Sequence, residues 1–588
     1  MEAFMTTITS TSILVRVLIS LSTRTFFQPD EYFQALEPAH HAVFGHGDLT
    51  WEWSSENPIR SIIYPALNIP VYWVLKVTGL HKIDALLIAG PKILHGILAA
   101  GTDIGVAELA RRTLGSDYVE TTVLLSLTSF FHALALSRSL SNSLETTLSA
   151  LAFSYYPWDA SSKLSPHVTY NPQRLGRAIL FSALACMIRP TNAVIWVFLY
   201  AKLLWSLRRY HKLAFTFFRN LVAAGLTAVL VLFIMDSFYY SRLISTPFNF
   251  VLTNFSSVSL FYGTNPWHYY LTQALPILCT TALPFVLHGV YITIRTRNTP
   301  KRNAALENML AAVTWSIGVY SFAGHKEWRF IHPILPLLHI FAAKSLVDLG
   351  SSKQPQTKPA KKSLKKSDDL KPPSSNRISA CFASLPIRKS HLTLLLLSLP
   401  VSLYIVLFYC DAPITVTSYI RSLPLPPPSA SASEPFTDTI GFLMPCHSTP
   451  GQSHIHRPIL AAVPGRLWSL GCEPPLNLTA AQALSYQDQT NVFYSDPRKY
   501  LLERFPETVD ALFPPSPFPR SSPGQAGVQE WRHEWPKHLI MFGELLKDEY
   551  GVREVLEEKG YQEVWTAGRE WEGEGARKGG VRVWRWVE

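Results

Sequence analysis

Residues 12–40 read "SILVRVLISLSTRTFFQPDEYFQALEPAH". The first ten carry one charge, Arg16, and the run they belong to suits a lipid core; two adjacent carboxylates, Asp30 and Glu31, then stand at its mouth. Composition extends this reading to the whole chain. Of 588 residues, 48% are hydrophobic and 16% charged, against roughly 25% charged in soluble domains, so this is a membrane protein. Apolar runs continue to about Tyr409, and from Cys410 onward the sequence is mixed, Pro-rich and charged.

Eleven spans are expected, near 5–24, 60–79, 83–106, 119–137, 143–157, 178–205, 214–236, 269–292, 305–322, 330–349 and 391–409, the fifth short enough to be re-entrant. The chain thus divides into a polytopic α-helical domain, 1–410, and a tail, 411–588, with Pro-rich linkers at 423–435 and 513–527. Lys and Arg mark cytosolic loops. "RRYHK" (208–212), "RTRNTPKR" (295–302) and the tract "KPAKKSLKKSDDLK" (358–371) fall on one side if the spans alternate. That side is taken as cytosolic, with loop 350–390 disordered by composition. The loop 25–59 and the tail are then lumenal, as are the sequons at Asn254 and Asn477. The first run reads as a signal anchor. Arg111 and Arg112 fall on the wrong side of this arrangement.

Six scattered cysteines exclude a disulfide framework. Cys446 and Cys472 share the expected lumenal tail, where a bond between them is permitted. A metal site from Cys446, His447, His454 and His456 and a pair of free thiols are the alternatives; "CHSTPGQSHIH" lacks a second Cys at finger spacing.

Four stretches carry candidate chemistry. From Pro29, residues Phe33, Leu36, His40, Val43 and Phe44 recur at helical spacing up to Gly45, predicting a helix lying on the membrane surface with Asp30 and Glu31 in its first turn, where carboxylates also suit the helix dipole. "TWEW" (50–53), read as extended, places Trp51 and Trp53 on one side, as interfacial belt residues or as a platform for a sugar face. "GHKEWRFIHPILPL" (324–337) packs His325, Lys326, Glu327, Arg329 and His332 between two spans; a Lys and an Arg against the positive-inside trend point to a phosphate. Arg189 in "MIRPTNAVIW" lies inside an expected span, where an Arg costs about 2.5–3.5 kcal/mol and is functional by default.

Together, "QPDEYFQALEPAH", "TWEW", "RPTN", "NPWHYY" (265–270) and "HKEWRFIHPILPL", in that order, resemble the glycosyltransferase family 22 mannosyltransferases, membrane enzymes of the GT-C fold. The tail stretches "FLMPCHSTPGQSHIH", "CEPPL", "FYSDPRKYL" and "WPKHLIMFGEL" look like those of the subgroup that adds the third mannose of the glycosylphosphatidylinositol (GPI) anchor. The resemblance implies transfer of an α-1,2-linked mannose from dolichyl-phosphate mannose to a two-mannose GPI precursor, with inversion, in the endoplasmic reticulum. Asp30 is then the general base, Glu31 its support, and Lys326 and Arg329 the phosphate contacts; His325, Glu327, Arg189, Trp51 and Trp53 are further substrate contacts. No cofactor or metal is expected, and the partners are the donor, the GPI glycolipid and membrane lipid, with no nucleic acid. Gln28 stands where the family commonly has His.

In the tail, "HLIMFGEL" and "VRVWRWVE" read as strands and "LLKDEYGVREVLEEKG" as a helix ended by Gly560, giving a mixed α/β domain. A transporter would require paired repeats, which are not evident. An assembly subunit would leave the "PDE" and "HKEWRF" clusters without a task. Other mannosyltransferases of the family are the nearer alternatives.

Overall fold

A computed structural model describes residues 2–159, 171–255, 261, 263–351, 385–424, 438–476, 478, 482, 486–517 and 531–587. Asn477 and almost all of the loop 350–390 lie outside them, and of Asn254 only the backbone is described, in a helix. The principal helices are α1 (Glu2–Ser22), α2 (Glu37–Phe44), α3 (Asp84–Thr113), α4 (Val119–Thr128), α5 (Ser141–Tyr155), α6 (Pro172–Ile188), α7 (Ala193–Leu207), α8 (His211–Tyr239), α9 (Tyr270–Thr296), α10 (Ala304–Ser321), α11 (Trp328–Ser351) and α12 (Lys389–Ser422). Six of them, α1, α3, α8, α9, α11 and α12, are long and apolar enough to cross a membrane.

Arg16 explains how the first two long helices pair. Alone in lipid it would be costly; here it donates two 2.8 Å hydrogen bonds to the carboxylate of Asp103 and a third to the Ser126 carbonyl, all fully buried. Lys92 Nζ donates to the Thr23 carbonyl at 2.6 Å, so α3 descends as α1 rises. Gly96 permits the contact, since a Cβ there would come within 2.7 Å of Val17 Cα, and Gly105 does the same against α5, where a Cβ would come within 2.8 Å of the Ala150 carbonyl carbon, the close backbone approach that small residues allow in membranes.

Two expected spans are corrected. The run 60–79 forms two short helices, Ile63–Ala66 and Ile69–Val77, whose residue Tyr72 packs against α2 in a cluster with Ala39, Val43 and Leu87. The run 178–205 is a hairpin: the chain turns at Pro190–Asn192, and Ser182 of α6 meets the Tyr200 hydroxyl of α7 at 2.7 Å. Pro190 cannot donate to the preceding turn, and Asn192 holds the bend by donating to Glu145 at 2.9 Å and accepting from Trp196 Nε1 at 2.7 Å. These changes reverse α3 relative to the expectation. Thr113 accepts from Asn303 at 3.1 Å, Tyr118 donates to Asp348 at 2.8 Å, and Arg112 and Arg177 both lie over the Tyr155 ring. Arg111 and Arg112 therefore share an end with the other basic loops, and the strain in the expected arrangement disappears.

The surface helix is also corrected. Phe33, Leu36, His40 and Val43 are buried, because α2 is sandwiched between the short helices and the tail: Phe33 touches His447, and His40 and Phe44 touch His456. The tail carries a five-stranded mixed sheet, ordered β2-β1-β3-β5-β4, from β1 (Ile440–Phe442), β2 (Leu467–Ser469), β3 (His538–Phe542), β4 (Tyr561–Ala567) and β5 (Val581–Trp586). β1 is parallel to both neighbours, and β5 antiparallel to both of its own. β3 is buried along its length between two apolar clusters, which is why "HLIMF" is almost continuously apolar.

Candidate active site

Asp30, Arg189, His325, Glu327, Arg329 and Trp51 come from four separate parts of the chain and line one cavity of about 400 Å³, beside Gln28, Glu52 and Arg60. Arg329 is its hub. Its Nη1 donates to Asp30 Oδ2 at 2.5 Å, while Nε and Nη2 form a fork onto Glu327 at 2.7 and 2.8 Å. His325 faces two acceptors, the Gly263 carbonyl at 3.1 Å and Glu327 at 3.2 Å, so both ring nitrogens carry protons and the ring is a cation; the bond to Glu327 holds its pKa above the ordinary value against desolvation. Burial disfavours ionisation of Glu327, but Arg329 and His325 outweigh it and hold its carboxyl well below the usual range.

Two more arginines face this group. Arg189 sits at the hairpin turn, paired with buried Glu145 at 3.2 Å and donating to Ser141 at 3.0 Å. Arg60 donates to Glu52 at 2.6 Å, and its Nε is buried with no hydrogen-bond partner. Three guanidiniums thus converge on the low-dielectric space that holds Asp30. Such an arrangement stabilises a phosphate beside a carboxylate that can take a proton.

Of the remaining expected residues that are described, Cys472 also lines this cavity, while Glu31, Lys326, Trp53 and Cys446 lie outside its lining. Glu31 is buried on the other side of its helical turn and accepts from Arg138 at 3.0 Å, which also donates to the Thr25 carbonyl and hydroxyl; it fixes the loop that presents Asp30. Lys326 Nζ donates to the Asn265 carbonyl at 2.7 Å, and Asn265 returns a bond to the Lys326 carbonyl at 2.9 Å. "TWEW" is a helical turn, not an extended strand: Trp51–Ser54 is helical, and Trp53 is buried with its Nε1 donating to the Phe33 carbonyl at 3.0 Å. Cys446 and Cys472 are disulfide-bonded, with Cα atoms 5.8 Å apart, so the Cys446-based metal set does not assemble. Arg60, Glu52, Arg138 and Glu145 were absent from the expected site. The signal for Glu145 was Arg189 itself, since an arginine inside an apolar run requires a counter-ion.

A second cavity, of about 540 Å³, opens between residues 45–51 and the tail segments 444–452 and 460–473. Phe33, Thr50, Trp51 and His447 line both cavities. The disulfide places His447 at this junction.

The sequence model of the Alg9-like mannosyltransferase family matches residues 7–456. GPI mannosyltransferase 3 of Aspergillus fumigatus is 32% identical across 97% of this chain and 76% of its own length. GPI alpha-1,2-mannosyltransferase 3 of Mus musculus is 32% identical across 84% and 78%. Among solved structures, ArnT from Cupriavidus metallidurans, bound to undecaprenyl phosphate, superposes with a TM-score of 0.51 over 98% of this chain and 97% of its own at 10% identity, a likeness of fold alone.

Proposed function

Because the chain belongs to the Alg9-like mannosyltransferase family, we propose that it transfers an α-1,2-linked mannose from dolichyl-phosphate mannose to the second mannose of a GPI precursor; the names of its relatives support the GPI mannosyltransferase and α-1,2 parts of this reading. The observation that carries this reading is Asp30 seated at 2.5 Å on Arg329 in a cavity that Arg60 and Arg189 also face. Oδ2 of Asp30 is held by the arginine, and Oδ1 takes the proton of the acceptor 2-hydroxyl. The deprotonated 2-hydroxyl oxygen of the acceptor attacks the anomeric carbon as that carbon's bond to the phosphate oxygen breaks, through an oxocarbenium-like state. Dolichyl phosphate leaves as an anion stabilised by Arg329, Arg60 and Arg189, so no acid is needed, and one in-line displacement turns a β-linked donor into an α-linked product. Glu31 and Lys326 act by position: one anchors the Asp30 loop, the other clamps residues 324–329. The second cavity, which shares Trp51 and His447 as wall residues with the first, takes the acceptor glycan.

In this reading α1 and α3 to α12 make eleven passes through the endoplasmic reticulum membrane, the Arg111–Arg112 end is cytosolic, and the cavity and tail are lumenal. The clustering of basic loops at one end supports that orientation. The test is to incubate membranes holding the wild type or Asp30→Asn with labelled dolichyl-phosphate mannose and a two-mannose GPI precursor. Three-mannose product from the wild type and a loss of about 10²–10⁴-fold in the variant are expected. Equal rates would overturn the base, and label passing to a lipid-linked oligosaccharide instead would overturn the acceptor.

A further inference from the structure

Outside the cavity, at the far end of α2, three histidines meet from distant parts of the chain. His40 and His46 flank the end of α2, and His456 comes from the tail; one ring nitrogen of each lies within 4.8 Å of the others. Their protonation follows from their partners. His40 Nδ1 faces the His46 carbonyl at 2.8 Å and His46 Nδ1 the Phe44 carbonyl at 3.2 Å; a carbonyl only accepts, so both Nδ1 atoms carry the proton and both Nε2 atoms present a lone pair. His40 Nε2 meets His456 Nδ1 at 2.8 Å. His46 Nε2 is buried and has no hydrogen-bond partner.

A carbonyl bond to the remote nitrogen is the outer-shell contact that orients a metal-bound imidazole. A buried lone pair without a partner is costly, and a simple His40–His456 hydrogen bond leaves that of His46 unanswered. We propose that His40, His46 and His456 bind one zinc ion, which fixes the tail on α2. The donor set is three borderline imidazoles with no thiolate or carboxylate, which suits zinc rather than calcium or magnesium. Nitrogens bound at 2.0–2.1 Å in a tetrahedron stand about 3.3 Å apart, so the His40–His456 pair opens slightly as neutral His456 changes tautomer, giving up its Nδ1 proton and taking one on Nε2, and water takes the fourth position. The three residues are 6 and 410 apart in sequence, a spacing that no motif records.

The test measures metal in the full chain, purified in detergent, incubated with zinc and passed through gel filtration. The wild type is expected to retain about one equivalent, and cobalt in its place to give the visible absorption of a four-coordinate site. His46→Gln removes the unpartnered Nε2 together with the ring's bond to the Phe44 carbonyl, and His456→Gln removes the tail's contribution; both are expected to lose the retained metal, with His46→Gln still eluting in gel filtration as the folded wild type does. A wild type that retains only substoichiometric zinc, or a His46→Gln variant that retains as much as the wild type, overturns the proposal.

Discussion

Arg329 is gripped by two carboxylates, and its planar fork is what allows both contacts at once. Lysine keeps the charge but cannot span Asp30 and Glu327 together. Arg329→Lys is therefore expected to lower kcat by about 10²-fold, roughly the 3 kcal/mol that breaking one side of a buried ion pair costs, with a smaller change in KM for the acceptor; steady-state transfer assays read the split. Asp30, Arg189 and Arg329 were legible in sequence because each is a charge beside or inside an apolar run, where chance charges are expensive. Glu52 was not, since in a polar loop its type carries no such signal, and Arg60, which opens the run 60–79, reads there as the ordinary charged end of an expected span. Lys326 looked equivalent to Arg329, yet its ammonium is occupied by the Asn265 carbonyl, a contact between residues 61 apart that local spacing does not encode.

Among the elements, the hairpin of α6 and α7 shows why hydropathy alone misleads. Arg-Pro-Thr-Asn is short enough to vanish in an apolar window, so two helices read as one; the failure of the run 60–79 to cross as one helix then offsets the error in the count. Of the five tail strands, β3 and β5 were legible because β3 is almost wholly apolar and β5 mixes apolar with basic residues; β1 and β2, three residues each, and the mostly exposed β4 carry no such pattern. Inside that tail, His533 stacks on Trp468 with centroids 4.3 Å apart, accepts from Gln489 and donates to Ser516, and burial depresses its pKa from 6.5 to about 3. Its folded value lies below its unfolded one, so the stability it contributes is present above pH 6.5 and is lost as pH falls toward 3. From pH 6.5 downward the wild-type tail is expected to lose up to about 1.4 kcal/mol per pH unit more than His533→Gln, measured by denaturant unfolding followed by tryptophan fluorescence.

For the molecule as a whole, the sidedness of the helices is the finding with the widest reach. Single cysteines at Ser116 and Asn298, in a background with the native unpaired cysteines replaced, are expected to react with an impermeant maleimide from one face of sealed vesicles, and one at Thr78 from the other. The pattern read from hydropathy alone places Ser116 opposite Asn298, so labelling of those two from different faces would restore it. The same hairpin has a consequence for the lipid around it. α6 has 17 residues and α7 has 15, about 26 and 22 Å of helix, against a hydrocarbon core of about 30 Å. In the eleven-pass reading both fall short of that core, and thinning of the bilayer beside this flank, next to Arg189, is the accommodation it implies. A polyprenyl-linked donor would meet there the shortest distance over which a sugar phosphate must be drawn below the headgroups. Transfer in vesicles of short-chain phosphatidylcholine is expected to exceed that in long-chain vesicles, and helix lengths that look like an irregularity become a local lens in the membrane, ground to admit one kind of lipid.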